Sequence, residues 1–145
     1  MRTSCQVVLT PHAGEFARLC GVDADLIARD PVGYAKAYAA ETGVVLLLKG
    51  AATVVTDGEE VLLVDRGSAG MATAGSGDVL SGVLCGLLGA RAVSPMTVAA
   101  GAYLAGRAGE LAAAAFTAHA MLASDTVSML PKAIAEVLDE AQADA

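Results

Sequence analysis

The chain has 145 residues, of which 55% are hydrophobic and only 3% aromatic, and its formal net charge at pH 7 is −7. This length suits one domain with a single core built from small aliphatic side chains. The acidic balance argues against nucleic-acid binding, although a single nucleotide needs only a local group of donors. Cys5, Cys20 and Cys85 lack metal-ligand spacing and favour a reducing cytoplasm. We expect neither a signal peptide nor a membrane span.

The first half of the chain alternates apolar segments with helix signals. Asp30 followed by Pro31 predicts the start of a helix, and Gly43 predicts its end. The unbroken apolar run Val44–Leu48 is typical of a strand buried on both faces. The predicted elements are a strand at Val7–Leu9, a helical turn at Gly14–Cys20, a helix at Pro31–Thr42 and a strand at Val44–Leu48.

The second half combines a predicted hairpin with long helices. Asp57-Gly58 is a strong turn signal between two strands. The predicted elements are strands at Thr53–Thr56 and Val61–Val64 and helices at Asp78–Leu88, about Pro95–Thr117 and Pro131–Ala141. Gly82 and Gly86, and likewise Gly101, Ala105 and Gly109, give helices flat faces for close packing. Strands followed by long helices indicate an α/β fold with a largely parallel sheet, and so few strands are typical of half of a larger domain.

A glycine-rich segment, Gly75-Ser76-Gly77-Asp78, precedes an apolar helix. The glycines let the backbone turn sharply, and the helix start adds free N–H donors and the positive end of its dipole. This combination suits a phosphate group. The Asp78 carboxylate then suits a hydroxyl to be deprotonated, or a metal. Alternatively, Asp78 only caps the helix, because aspartate is favoured there.

Two further segments follow predicted strands, at the edge where open α/β sheets bind ligands. His12 lies in the loop after the first strand and either contacts a substrate or is an ordinary loop histidine. Lys49 leaves the most apolar strand. Its ammonium group is suited to a phosphate, and Gly50 allows close approach of the backbone. Alternatively, Lys49 is a solvated strand end.

Three segments occur in an order and approximate spacing that resemble a known family: VVLTPHAGEFARLCG, VVLLLKGAATVVTDG and GMATAGSGDVLSGVLCGLL. They resemble the ADP-dependent NAD(P)H-hydrate dehydratases of the ribokinase-like superfamily. The Gly-Ser-Gly-Asp loop is shared with sugar and vitamin kinases, whereas the Thr-Pro-His-x-Gly-Glu loop is distinctive. Ala13 stands where proline is usual, and Ala74 where glycine is usual. The resemblance covers nearly the whole chain but only the C-terminal half of the family's carbohydrate-kinase-like domain, so we expect residues 1–145 to form one domain truncated at its N-terminus.

The resemblance implies a repair reaction on hydrated NADH or NADPH. The ring hydroxyl is phosphorylated with ADP, and phosphate is then eliminated. Asp78 is implied as the base and a substrate contact, and the Gly75–Gly77 backbone, with Ser76, as the anion hole. His12 is implied to contact the hydrated dinucleotide. The implied adenine nucleotide site comprises Lys49, Gly50, Ala51, Ala52, Thr53 and Gly77.

The resemblance also implies Mg²⁺ as a charge partner, held through nucleotide phosphates and water rather than by protein ligands. The expected partners are the adenine nucleotide and the hydrated dinucleotide, with no nucleic acid and no membrane. We expect a cytoplasmic homo-oligomer, with a missing N-terminal half as a further partner. The alternatives are a ribokinase-like kinase of a small alcohol or vitamin precursor, and a catalytically silent nucleotide-binding remnant.

Overall fold

In the first half of the chain one strand is followed by three helices and then three strands, and three longer helices complete the described part. A computed structural model describes residues 5–143 of the protein. The helices are α1 (Ala13–Cys20), α2 (Ala24–Arg29), α3 (Pro31–Thr42), α4 (Ser76–Leu88), α5 (Pro95–Phe116) and α6 (Ala123–Ala143). The strands are β1 (Val8–Leu9), β2 (Val45–Leu48), β3 (Thr53–Thr56) and β4 (Val61–Val64), and a 3-10 turn covers Ala69–Met71. The predicted α/β class is confirmed.

The four strands form one sheet in the order β1-β2-β3-β4. β1 pairs parallel to β2, with Val8 opposite Val45, whereas the β2–β3 and β3–β4 pairs are antiparallel. The prediction of a largely parallel sheet is therefore wrong for these strands. The cause is the short connection Lys49–Ala52, because a parallel pair needs a crossover of roughly a dozen residues. The predicted hairpin around Asp57-Gly58 is confirmed.

Two helices differ from the sequence prediction. α2 was not predicted, although the Asp23 carboxylate that accepts from the Asp25 amide at 3.0 Å marks its start. α6 begins at Ala123, not at Pro131, which lies inside it. The Asp125 carboxylate fixes this earlier start by accepting from the Leu122 amide at 2.7 Å. The helix tolerates the proline at the cost of one backbone hydrogen bond.

The chain divides into two compact units. Among the described residues, the first comprises 5–65 and 87–100, and the second comprises 66–86 and 101–143. In the first unit Phe16 is fully buried and contacts the Tyr38 ring edge-on, with centroids 5.3 Å apart. All residues of β2 are buried, as its apolar run predicted. Within residues 5–143, no helix combines the length and apolar character needed to span a membrane.

Candidate functional site

The carboxyl ends of β1 and β2 bring two predicted site residues together in the first unit. The parallel pairing continues beyond the strands as a bridge between His12 and Lys49, and the Lys49 amide donates to the Pro11 carbonyl at 2.9 Å. Parallel neighbours end at the same edge of a sheet, so both side chains lie at the edge where α/β proteins bind ligands. The predicted placement of both residues after strands is confirmed.

His12 caps α1, a role that the sequence interpretation missed. Its Nδ1 accepts from the amides of Gly14 at 3.1 Å and Glu15 at 3.2 Å. The Glu15 carboxylate accepts in return from the His12 amide at 2.8 Å, which completes a reciprocal capping pair. Because Nδ1 accepts, the neutral ring carries its proton on Nε2. The side chain is 56% exposed, so the outer part of the ring remains accessible to a ligand.

Glu15 is a member of this group that the candidate residues omitted. Its Oε2 lies 3.9 Å from Lys49 Nζ, and its Oε1 lies 3.5 Å from His12 Nε2. The hydrogen bond from the His12 amide has the largest effect and lowers the pKa of Glu15. Desolvation opposes it, and electrostatic attraction to His12, Lys49 and Arg18 lowers the pKa further. The carboxylate therefore stays ionised at neutral pH beside the lysine. The histidine-x-x-glutamate spacing in the sequence is the signal that could have identified it.

The connection after Lys49 exposes backbone rather than side chains. Gly50, Ala51 and Ala52 are exposed, and Thr53 begins β3. A Cβ atom on Gly50 would lie 3.2 Å from the Ala52 carbonyl oxygen, so the turn is tight. Small side chains leave the peptide groups of this turn accessible to a ligand. The first unit also contains a separate cavity of about 330 Å³. Glu15 lines it, but His12 and Lys49 do not, and its other lining residues are Leu9, Thr10, Pro11, Arg18 and Leu19.

The glycine loop of the second unit turns sharply into α4. Gly75 has a φ of +91°, a left-handed conformation that favours glycine. Its carbonyl accepts from the amides of Asp78 and Val79, both at 3.1 Å. These bonds place the start of α4 at Ser76, two residues before the predicted start. The turn that the sequence predicted at this glycine is confirmed.

Several donors in this loop have no protein acceptor. Within residues 5–143, no acceptor is found for the amides of Gly75 and Gly77, whereas the Ser76 amide donates to the Thr73 carbonyl at 3.3 Å. The Ser76 hydroxyl is buried and has no hydrogen-bond partner among the same residues. An unsatisfied buried polar group costs roughly 1–3 kcal/mol. The loop therefore offers free donors at the positive end of a helix, an arrangement that suits an anion.

Asp78 presents a free carboxylate beside these donors. It lies in the first turn of α4, its side chain is exposed, and no partner for the carboxylate is found in the described part of the chain. The alternative that Asp78 caps the helix is wrong, because α4 already begins at Ser76. Its carboxylate is thus available to a hydroxyl or to a cation.

The candidate residues fall into two groups that belong to different units. His12, Lys49 and the turn after Lys49 lie in the first unit, and the glycine loop with Asp78 lies in the second. Across residues 5–143, no group of three or more histidine, cysteine, aspartate or glutamate residues could hold a metal ion.

The fold is that of the ribokinase-like class. A ribokinase-like superfamily protein of Enterococcus faecalis matches with a TM-score of 0.77 at 28% identity, covering 90% of this chain and 44% of that one. The sequence profile of one family within this class, the NAD(P)H-hydrate dehydratases, matches residues 1–132. The chain belongs to the NAD(P)H-hydrate dehydratase family, and the resemblance seen in its motifs is confirmed.

Two curated relatives and one solved structure show how much of the family's length this chain spans. The bifunctional NAD(P)H-hydrate repair enzyme of Moorella thermoacetica is 46% identical over 138 residues, which are 94% of this chain and 26% of that protein. The ADP-dependent (S)-NAD(P)H-hydrate dehydratase of Cenarchaeum symbiosum is 42% identical over 86% of this chain and 43% of its own length. The solved ADP/ATP-dependent dehydratase of Bacillus subtilis, co-crystallised with ATP and Mg²⁺, matches at 34% identity and a TM-score of 0.85, over 90% of this chain and 48% of its own. The chain thus spans about half the length of the dehydratases.

Proposed function

We propose that this chain acts in the ADP-dependent dehydration of hydrated NADH or NADPH. The hydroxyl oxygen of the reduced nicotinamide ring attacks the terminal phosphorus of ADP, and the bond from that phosphorus to the bridging oxygen breaks to release AMP. The phosphate ester then leaves as phosphate together with a ring proton, which restores the dinucleotide. The observation that carries the proposal is the free carboxylate of Asp78 beside a donor-rich loop at a helix start.

Asp78 is the proposed base and a contact of the substrate. An exposed carboxylate without a protein partner is free to accept a hydrogen bond from the ring hydroxyl and to take its proton as the new phosphorus–oxygen bond forms. Phosphoryl transfer needs mainly positioning of the nucleophile and stabilisation of charge, and a carboxylate that orients the nucleophile recurs in such enzymes.

The backbone of Gly75, Ser76 and Gly77 is the proposed anion hole for the transferring phosphoryl group. Among residues 5–143 no partner is found for the amides of Gly75 and Gly77 or for the buried Ser76 hydroxyl, and we propose the two amides as donors to phosphate oxygens. Donors that are already fixed in direction stabilise developing negative charge without a reorganisation cost. The positive end of α4 adds to this effect.

Lys49 and the turn that follows it are the proposed adenine nucleotide site. The lysine ammonium carries the positive charge, Glu15 holds it in place at 3.9 Å, and the small residues of the turn leave the backbone accessible. The proposed set in the first unit is Lys49, Gly50, Ala51, Ala52 and Thr53. His12 is the proposed contact for the hydrated dinucleotide, because its ring is exposed at the same sheet edge as Lys49.

Mg²⁺ is the proposed charge partner of the nucleotide. The Bacillus subtilis relative was co-crystallised with ATP and Mg²⁺. We propose that this ion is bound mainly by phosphate oxygens and water, which are ligands that Mg²⁺ prefers. When bound, the ion neutralises phosphate charge.

We further propose that residues 1–145 are the C-terminal half of one carbohydrate-kinase-like domain. The chain's match to about half of the solved dehydratase supports this assignment. A cytoplasmic location fits the dinucleotide substrate and the free thiols of Cys20 and Cys85. We propose that the protein works as a homo-oligomer, because exposed apolar side chains such as Leu138 and Ile134 remain on α6.

The proposed function is tested by repair of hydrated NADH. The protein is mixed with hydrated NADH, ADP and Mg²⁺, alone and together with a polypeptide covering the rest of a relative's dehydratase domain, and recovery of the reduced-nicotinamide absorbance is followed. We expect Asp78→Asn to lower turnover roughly 10²–10⁴-fold, the effect of losing a general base, while ADP affinity is kept. The matched control is Asp139→Asn, which removes an exposed carboxylate from α6.

Three outcomes would contradict the proposal. Absence of repair in both mixtures refutes the dehydratase function. Formation of a stable phosphorylated alcohol without elimination indicates a small-molecule kinase instead. Turnover of Asp78→Asn within a few-fold of the parent refutes the role of Asp78 as the base.

A further inference from the structure

The segment that leads into the glycine loop is tied to α5 by one carboxylate. Glu110 Oε1 accepts from the Gly67 amide at 3.1 Å, a contact between residues far apart in the sequence. Glu110 Oε2 lies 2.9 Å from Arg107 Nη1 and 3.7 Å from Arg66 Nη1. The Glu110 side chain therefore binds both the Gly67 amide and the Arg66 guanidinium at the start of this segment.

The network around Glu110 holds that carboxylate in one position. Arg107 donates through Nε to Glu136 on α6 at 2.8 Å while it also binds Glu110. The Arg66 guanidinium lies over the Tyr103 ring, 5.2 Å from its centroid. Burial raises the pKa of Glu110, but the hydrogen bonds from Arg107 and Gly67 and the charge of Arg66 outweigh it and keep the pKa below its ordinary value. Glu110 is thus ionised and multiply bound.

Close packing fixes the path of the same segment on α5. A Cβ atom on Gly106 would lie 2.7 Å from the Arg66 carbonyl oxygen, and one on Gly109 would overlap the Met71 sulfur. The segment therefore rests directly on two glycines of the helix.

Only a short stretch separates this anchor from the proposed anion hole. Ala72–Ala74 connect Met71 to Gly75, and a Cβ on Gly75 would lie 3.3 Å from the Ala123 side chain at the start of α6. The loop is therefore held at both ends: on the Arg66–Met71 side by Glu110 and α5, and on the Gly75 side by α6. Only Ala72–Ala74 separate the segment Arg66–Met71 from Gly75. A displacement of that segment at Gly67 should therefore also move the donors of the loop.

We propose that Glu110 is a positioning residue that sets the geometry of the Gly75–Gly77 donors through the segment Arg66–Met71. This inference rests on the proposed function for its catalytic consequence, but the positional effect is measurable without turnover. Phosphoryl transfer depends on donors aimed at developing charge, and misplacement by about 1 Å costs on the order of 10²-fold in rate.

Amide resonances report the positioning directly. In ¹H–¹⁵N spectra of the nucleotide-free protein, Glu110→Ala is expected to shift the resonances of Gly67, Gly75 and Gly77. The matched control is Glu136→Ala, which breaks the Arg107–Glu136 ion pair but leaves the Gly67 contact, and it is expected to leave the Gly75 and Gly77 resonances in place. Unchanged Gly75 and Gly77 resonances in Glu110→Ala would overturn the proposal.

Kinetics separate positioning from general stability. Glu110→Ala is expected to lower kcat about 10- to 100-fold with a KM for ADP within threefold of the parent, while Glu110→Gln, whose amide oxygen still accepts from Gly67, recovers most of kcat. Equal losses in the Ala and Gln variants, or a loss confined to KM, would contradict the assignment. Absence of repair by the parent protein, both alone and with the polypeptide that covers the rest of a relative's dehydratase domain, refutes the proposed function, and the resonances then decide the positional proposal alone.

A second perturbation covers the case in which Glu110→Ala does not fold. Gly106→Ala displaces the Arg66 carbonyl without changing any charge, so it is expected to shift the Gly75 and Gly77 resonances in the same way. Glu110→Gln is expected to leave them near their parent positions. The reverse pattern would overturn the proposal.

Discussion

At the residue scale, the site residues owe their properties to neighbours that the sequence motifs did not single out. Lys49 is paired with Glu15, and Glu15 is itself bound by the His12 amide. His12 caps a helix through Nδ1, and its Nε2 lies 3.5 Å from Glu15 Oε1. The same side chains therefore serve as candidate ligand contacts and as local structural contacts. A mutation at one of them must be tested for its effect on ligand binding and, separately, for its effect on stability.

Lys49→Ala is expected to weaken adenine nucleotide binding without unfolding the protein. The lysine is a partly exposed strand-end side chain, so its loss removes a positive charge and little buried surface. Calorimetric titration with ADP measures the effect, and Lys36→Ala, on the exposed face of α3, is the control. Unchanged ADP affinity in a folded Lys49→Ala protein would count decisively against a phosphate contact.

Glu15 is expected to contribute to the pH dependence of stability. Folding lowers the pKa of Glu15 from its ordinary value of 4.5, mainly through the His12 amide. The folded state thus favours the ionised carboxylate, so its contribution is present above that value and is lost as the pH falls through the lower folded pKa. Glu15→Gln keeps an acceptor for the cap but no longer titrates. Urea unfolding at a series of acidic pH values should show a shallower loss of stability in Glu15→Gln, and identical slopes would refute this role.

At the element scale, α4 and α5 show that the same glycine pattern has different outcomes. Flat faces for close packing were expected on both helices. On α5 the expectation is met at Gly109, which packs against Met71, whereas none of the described residues comes within 4 Å of a Cβ built on Gly82 or Gly86 of α4. The spacing of glycines predicts a flat helix face. Whether that face is covered depends on which other segment of the same chain packs against it.

Two alanine substitutions should therefore have opposite effects on stability. Gly86→Ala gains helix propensity without a clash and should raise the free energy of unfolding by up to about 1 kcal/mol. Gly109→Ala gains the same propensity but displaces Met71 and should lower it by about 1–3 kcal/mol. Urea unfolding measures both, and a stabilised Gly109→Ala protein would show that the Met71 contact is not close.

At the scale of the whole molecule, the chain spans about half the length of the dehydratases it matches. Among the described strands β1 pairs only with β2, which leaves one edge of β1 with unpaired backbone groups. Such an edge pairs readily with another chain. Reactions that hold two substrates in register also depend on every wall of the site.

We therefore expect the 145-residue chain by itself to bind ADP weakly, to self-associate and to repair hydrated NADH slowly. Adding a polypeptide that covers the rest of a relative's dehydratase domain, or fusing it to the chain, should raise the repair rate. Light scattering and the absorbance assay measure these effects, and a β4-edge variant such as Leu63→Lys controls for general solubility. A monodisperse monomer that repairs hydrated NADH at an ordinary enzyme rate would contradict this prediction.

The sequence by itself determined the local elements and the chemistry of the motifs. The bounds of α3, β3 and β4 were predicted because capping residues, a proline and a turn dipeptide act over a few neighbouring positions. The turn at Gly75 was predictable for the same reason. All of these signals act over a few neighbouring residues. The same is true of the glycines and the free amide donors at a helix start, which together predict an anion-binding loop.

Only the tertiary structure decided the supports of the site. The antiparallel β2–β3 pair and the start of α6 depend on local features, the short turn after Lys49 and the Asp125 cap, which the sequence interpretation did not use. The contact between Glu110 and Gly67 joins residues far apart in the chain. Such contacts depend on packing of distant segments, and a local sequence pattern carries no information about which distant residue will complete them.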